Sequence, residues 1–360
     1  MKILDRYLLV RYLSAVTRAV LTLASLYILI DLLTTLRQDI LKYDVPWRIV
    51  FEYYVASLPK MIYQIAPLAV LVSALMVLGE CAQTNEVTAA LAGGIGLRRF
   101  VRMPVMATLA LCALIFVMEE SVGARATAAA SRLESHYFSK VTSAERTGRS
   151  WAGLGQGWTC HILKFNRAAL TGEGVLMHAI RPDAKEQINA RRIYWDPDAN
   201  QWMIEDGFWQ VFSPDYSKRP ESSQFSQRPA PFSETPEDLF AMDDDPATKT
   251  AGALMATLRR AEGRGSPSAS LWLDYYAKFS QPVVSFVMLG LAIPFALRLR
   301  RGGLAISFGM SIAIALSYLV IYGVCFSLGH VGRLSPFVAA WLANAVFLAA
   351  GTALWVRTPT

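Results

Sequence analysis

Glu86 heads a polar island, Ala82 to Arg102, that separates two long apolar stretches of the chain. A carboxylate suits the first turn of a helix, where it meets the positive end of the backbone dipole. Thr84 or Asn85, just before it, can accept a hydrogen bond from an orphan N–H as an N-cap. Thr88 and the alanines around it are good helix material, and Gly93-Gly94 end the run. The spacing predicts a helix of two to three turns over about 84–93. An acidic-headed helix held between membrane spans is suited to taking force from a soluble motor. The plainer alternative is a solvated turn that only joins two spans.

A second set of charges could hold an anion. Lys60 follows Pro59 inside an apolar stretch, where an ionisable group is costly and so a functional candidate. With Arg37 and Lys42 it could form a basic mouth suited to the phosphates of an anionic lipid. Its alternative is snorkelling toward the headgroups. Asp31 is either the counter-charge of Lys60 or a group facing the bundle interior. Glu119 and Glu120 read as a solvated boundary at the end of an apolar run, and Lys278 as an interfacial anchor. Other chemistry finds no support. The chain has no GxxxxGK[ST] loop, no G-x-S-x-G and no zinc motif, and its four histidines show no ligand spacing. No catalytic residue, metal or cofactor is expected in this chain, and ATP hydrolysis, if it occurs, needs a separate chain.

The elements that must position these residues are membrane spans. A chain of 360 residues that is 54% hydrophobic and only 18% charged, with a mean hydropathy of +0.32, is too apolar for a soluble protein of its length. Residues 1–18 alternate basic and apolar side chains, like a helix lying at the membrane surface before it enters. They do not form a cleavable signal sequence. Apolar runs follow at about Ala19 to Leu36, Ile49 to Leu78 (interrupted by Pro59-Lys60 and Pro67) and Met103 to Met118. Three more lie at Phe279 to Leu297, Leu304 to Leu328 and Leu334 to Val356. Each can cross a core of ~30 Å, the third only just. Lys2, Arg6, Arg11, Arg98, Arg99, Arg102, Arg298, Arg300, Arg301 and Arg357 fall on one side, so that side, with both termini, is read as cytoplasmic. The net charge of +7 is thus a topology signal rather than a sign of nucleic-acid binding.

Between the two triplets of spans lies a polar stretch. Trp158 to Phe165, Val175 to Ile180, Ile188 to Trp195, Trp202 to Ile204 and Phe208 to Phe212 read as short strands divided by turn residues, which suggests a sandwich or partly open barrel. Ser213 to Pro246 reads as loop with at most one strand, and Ala247 to Arg264 as a helix with Leu254 and Leu258 on one face. The fold class is therefore a six-span α-helical membrane protein, three plus three, with an inserted all-β domain. The divisions are 1–120, 121–271 and 272–360. Cys81, Cys112, Cys160 and Cys325 lie too far apart to suggest a disulfide framework.

Leu4-Asp5-Arg6-Tyr7, the run Ala82-Gln83-Thr84-Asn85-Glu86-Val87-Thr88, Gly94-Ile95-Gly96 and Lys278-Phe279-Ser280-Gln281-Pro282 resemble the LptF/LptG permeases, as does the layout of the whole chain. Leu4-Asp5-Arg6-Tyr7 and Pro59-Lys60 look more like LptG. The resemblance implies an ABC exporter in the inner membrane of a Gram-negative bacterium that extracts lipopolysaccharide. Its implied partners are an LptB-like ATPase dimer using ATP and Mg, an LptF-like second permease, and LptC-like and LptA-like periplasmic jellyroll proteins. By the same resemblance the inserted domain is a periplasmic β-jellyroll, and the first and fifth spans form a lateral gate. Glu86, with Asn85 and Thr88 beside it, matches the ATPase-coupling helix, and Lys60 matches a lysine facing lipid A phosphates. The lysine this family can carry in the first span is absent, with Asp31 near its place. Two readings stand beside this one: a non-transporting ABC subunit that transmits motion to its outer domain, and a membrane-anchored scaffold.

Overall fold

A computed structural model describes residues 3–34, 45–134, 137, 145–155, 157–167, 169–180, 185–212, 221–243, 248–263, 269–298 and 304–356. Arg37 and Lys42 lie outside the described residues, as do Lys2, Arg300, Arg301 and Arg357 of the orientation pattern. The chain divides into two compact units, one formed chiefly by the helices of both ends and the other by the inserted stretch.

The helical unit opens with α1 (Ile3–Thr34), one unbroken helix. The surface helix expected over residues 1–18 is therefore continuous with the first span. Leu8, Tyr12, Ala15 and Val16 are buried, so packing rather than a membrane surface takes the apolar side of this segment. Next comes α2 (Trp47–Gln83), which runs through Pro59 and Pro67 without a break. Proline removes one backbone donor, but neighbouring helices can re-satisfy the freed carbonyl inside a membrane bundle. Two short helices follow, α3 (Glu86–Ala92) and α4 (Leu97–Phe100), before α5 (Arg102–Met118). The third span does not stop at Met118. A π-helical turn (Glu119–Gly123) and α6 (Ala124–Leu133) continue it, which gives a run of 32 residues and removes the doubt about its length.

Among the described residues, six helices are long and apolar enough to cross a membrane. The last three are α9 (Ala269–Arg298), α10 (Leu304–His330) and α11 (Pro336–Val356). The insert supplies α7 (Pro236–Asp243) and α8 (Ala251–Gly263) between α6 and α9. Within the helical unit α2 and α9 are central. Val70, Leu71, Ala74, Leu75 and Leu78 of α2 and Val284, Met288, Leu289, Ala292 and Ile293 of α9 form one core with Leu8 and Tyr12 of α1. By contrast α1, α5, α10 and α11 leave large apolar side chains outward, among them Leu29, Leu109, Leu319 and Val346. A lipid solvent makes that distribution natural, since exposed leucine costs nothing there.

The other unit is built on a six-stranded antiparallel meander, in the order β1 (Glu145–Leu154), β2 (Trp158–Asn166), β3 (Thr171–Ile180), β4 (Lys185–Asp196), β5 (Gln201–Phe212), β6 (Glu221–Pro229). Two of the strands read from the sequence are one strand, β5, and β1 was not anticipated. Alternation in β2 puts Trp158, Cys160 and Ile162 inside, all buried. The alternation then slips by one residue in four strands: Phe165 is buried after Ile162, Val175 after Gly172, Ile193 after Ala190, and Gly207 after Ile204. The slips line up. Pairing passes from Ile162↔Val175 to Lys164↔Glu173, from Val175↔Ala190 to Glu173↔Arg192, and from Ala190↔Gly207 to Arg192↔Glu205. Leu163, Gly174, Arg191 and Asp206 thus stand in one row, with Gly174 at φ 67 and Asp206 at φ 48. Register is the same on both sides of this row, so each strand changes which side chains face inward at the same level and the inner face stays apolar throughout. The interior is closed by Phe232 and by Leu239 of α7, packed on Trp151, Phe165 and Trp202. Trp151 Nε1 donates to the Leu239 carbonyl at 3.1 Å, and Trp202 Nε1 to the Glu234 carbonyl at 2.9 Å. In α8, Leu254 and Leu258 are both fully buried, one turn apart on a single face.

Gly207 lies tight against β4. A Cβ there would lie 2.4 Å from the Asn189 carbonyl oxygen and 3.0 Å from Ala190 Cα, both backbone atoms of β4 that cannot move aside. Gly207→Ala is expected to destabilise this unit by about 1–3 kcal/mol. Gly252→Ala in α8, where nothing lies within 4 Å, serves as the neutral or slightly stabilising control. Tryptophan fluorescence during denaturant unfolding of the full chain should show an earlier transition for the first variant only.

Candidate functional site

The helix read from the polar island exists as α3, seven residues long. Its ends are made differently from the expectation at one side. Asn85 holds the N-cap position in the left-handed region, at φ 60, with no side-chain cap hydrogen bond, and the Thr84 hydroxyl donates backward to the Glu80 carbonyl at 2.9 Å. Neither residue caps as expected, because α2 runs to Gln83 and the sharp reversal at Asn85 takes the place of a cap. The C-terminal end is as the glycines suggest. Gly94, at φ 77, donates to the Leu91 carbonyl, and Ile95 N–H donates to Ala90 at 2.9 Å, which closes the last turn. Val87 anchors α3 in the helical core, and Leu97 and Phe100 of α4 wedge beside it. Asn85, Thr88, Ala89 and Ala92 are exposed, at spacings of three, four and seven, so small side chains make one free stripe along α3.

The Glu86 carboxylate is held from several sides. Arg11 Nη1 of α1 lies 3.2 Å from Glu86 Oε1, the Thr84 hydroxyl, its proton shared with the Glu80 carbonyl, lies 3.1 Å from the same oxygen, and the Tyr7 hydroxyl approaches it at 3.4 Å. Arg11 also reaches Glu80 Oε2 at 2.7 Å and Cys81 Sγ at 3.7 Å, and it donates to the Tyr7 hydroxyl. Burial pushes the Glu86 carboxyl up, but hydrogen bonds from Cys81, Thr84 and Arg11, with the charge of Arg11, outweigh it and hold the group below its ordinary value. Sequence reading took Arg11 only as an orientation charge. The signal that could have found it is its place beside Tyr12, three positions after buried Leu8 and four before buried Ala15 on α1, where a lone arginine needs an anionic partner.

Lys60 sits half-buried on α2, and its charged surroundings differ from the expectation. Asp31 is bonded to Tyr54, whose hydroxyl donates to Asp31 Oδ2 at 3.1 Å across α1 and α2. The carboxylate that feels Lys60 is Glu119, which also feels Lys278. Glu119 is not a solvated boundary, because the span continues past it. It lies in the π-helical turn, one carboxylate oxygen is fully buried with no hydrogen-bond partner, and the group folds over Gly123, where a Cβ would come within 2.3 Å. The charges of Lys278 and Lys60 both act on this carboxylate through space. The residues after Lys278 also have partners. Phe279 packs on Phe116, the Ser280 carbonyl accepts from Asn344 Nδ2 at 3.0 Å, and Gln281 bonds Tyr322. Tyr318 donates to the same Asn344 at 2.8 Å. Glu119 thus stands in the field of Lys278 and Lys60, while the hydrogen-bond partner of Asp31 is Tyr54. Among the described residues no group of three or more His, Cys, Asp and Glu is placed to hold a metal ion.

The profile of the lipopolysaccharide export system permeases LptF/LptG matches residues 6–357 of the chain. The chain belongs to the LptF/LptG family. That match spans both helical halves and the inserted β unit, so it covers the Glu86 helix and Lys60 alike. The profile is common to LptF and LptG and does not separate them. No curated protein matches the chain. Membership of the LptF/LptG family makes this a permease-type transporter subunit of lipopolysaccharide export, not itself an enzyme.

Proposed function

We propose that this chain is an LptG-like permease of the inner membrane that works with a second, LptF-like permease and an LptB-like ATPase dimer to extract lipopolysaccharide. Both termini and α3 face the cytoplasm, and the β unit faces the periplasm, where LptC-like and LptA-like jellyroll proteins receive the lipid. ATP and Mg are bound by the ATPase, and this chain holds no cofactor. Glu86, Asn85 and Thr88 meet the ATPase. Lys60 meets the lipid phosphates, and Arg37 and Lys42 extend that basic mouth.

The observation that supports this most is the form of α3: a short helix stiffened at both ends, anchored by Val87, with a held carboxylate beside an exposed stripe of small side chains. A mere connecting turn needs none of these. The outward leucines of α1 and α10 fit lipid or the second permease equally, and the lateral gate is assigned to those two helices. The test is affinity purification of the full chain from its own membranes, followed by mass spectrometry of bound protein and lipid. An ATPase, a second permease and lipopolysaccharide should be recovered together. Recovery of a phospholipid complement without either protein would overturn the assignment.

A further inference from the structure

Three helices meet on one guanidinium. Arg11 of α1 reaches Glu80 near the end of α2 at 2.7 Å and Glu86 at the head of α3 at 3.2 Å. One position further along α1, Tyr12 is fully buried and its hydroxyl shares a 2.8 Å hydrogen bond with Thr108 of α5. Whatever moves the head of α3 is therefore connected through Arg11 to α1, and through the neighbouring tyrosine to the third span. The apolar anchor Val87 holds the helix in place but carries no direction, whereas a guanidinium fixed between two carboxylates does.

The charges also matter. Arg11, Glu80 and Glu86 sum to one negative charge, and the side chains of Glu80 and Glu86 remain 56% and 32% exposed, against 20% for Arg11. The cluster is incomplete in a way that favours one more cation arriving from outside. A basic group on a docking partner would complete a two-and-two arrangement without displacing Arg11 from Glu80.

We propose that Arg11 is a positioning residue for coupling: it presents the Glu86 carboxylate to a cation of the ATPase and carries the displacement of α3 into the first span. This rests on the reading of α3 as the helix that meets the ATPase. The arginine fork is essential, because it spans two carboxylates at once, while a lysine can keep the charge but hold one of them well.

The experiment compares wild type, Arg11→Gln, Arg11→Lys and Glu86→Ala as full-chain complexes with the co-purifying ATPase, reconstituted with lipopolysaccharide. Three quantities are read: ATPase retained, thermal unfolding midpoint, and lipid released per ATP hydrolysed. Arg11→Gln should retain the ATPase and unfold as wild type, yet release about tenfold less lipid per ATP, the scale of one charge-assisted hydrogen bond. Arg11→Lys should recover part of the loss. If Arg11→Gln releases lipid normally while Glu86→Ala does not, the positioning role is overturned and the coupling reading stands. If neither variant changes release, the coupling reading itself fails. A lowered unfolding midpoint or lost assembly that Arg11→Lys does not restore would show a structural role instead, and would also overturn the proposal.

Discussion

Glu86→Ala is expected to yield a chain that inserts and folds normally but no longer retains its ATPase or responds to it. Truncating one member of a charge pair that becomes buried on docking costs roughly 2–5 kcal/mol, large against a reversible interface. The folded chain loses little, because Arg11 keeps Glu80 at 2.7 Å and is not left as an unpaired cation, and Val87 still anchors α3. The pH dependence has a definite sign. The carboxyl of Glu86 is held low, so its contribution is fully present above the ordinary glutamate value of about 4.3 and disappears only as pH falls through the lowered value. Retention of the ATPase in the wild type should thus be flat through neutral and mildly acidic pH. Pull-down and ATP-dependent lipid release in the mutant decide the matter, and wild-type values for both would leave Glu86 without a coupling role.

Lys60→Glu should have the next largest effect, on lipid occupancy rather than assembly. One charge-assisted hydrogen bond to a phosphate is worth about 1.5–3 kcal/mol, so the lost cation alone predicts roughly ten- to a hundredfold weaker lipopolysaccharide binding. Reversing the charge adds repulsion, because Glu119 already stands in the field of Lys278 and Lys60. Lys60→Gln separates the two contributions: it removes the cation without adding a carboxylate, so it should fall between wild type and Lys60→Glu. Bound lipid per purified complex, measured by mass spectrometry, gives the order. Equal occupancy in all three would mean that Lys60 only snorkels to the headgroup region.

Span number, span order and the β character of the insert were legible because each rests on a pattern that burial or lipid enforces along the chain. The turn made by Gly93-Gly94 was legible for the same local reason, since only glycine adopts φ 77 there without strain. What failed was nonlocal or nearly so. The capping role of Thr84 and Asn85 gave way because α2 continues to Gln83, so the hydroxyl of Thr84 meets the Glu80 carbonyl and the Glu86 carboxylate and bonds no backbone N–H of α3. Asp31 reads from sequence as either the counter-charge of Lys60 or a group facing the bundle interior, and spacing does not show that its hydrogen-bond partner is Tyr54, 23 positions along the chain. Arg11 and Glu86 are 75 positions apart, and no spacing rule connects them. The missed strand β1 has only Trp151 and Leu154 as its large apolar residues, too few for its alternation to stand out.

The meander has a consequence for how the chain is made. Each strand of the insert bonds to the strand before it and the strand after it, so its contacts are local and it can close as it is synthesised. The helical unit is the opposite case. The central face of α2, Val70 to Leu78, shares one core with Val284 to Ile293 of α9, which is not made until some two hundred residues later. For that interval the first three spans lack the later half of their core, and the third of them leads into an insert still being built. The order of synthesis therefore sets a vulnerable period, and it ends only when α9 arrives to cover α2.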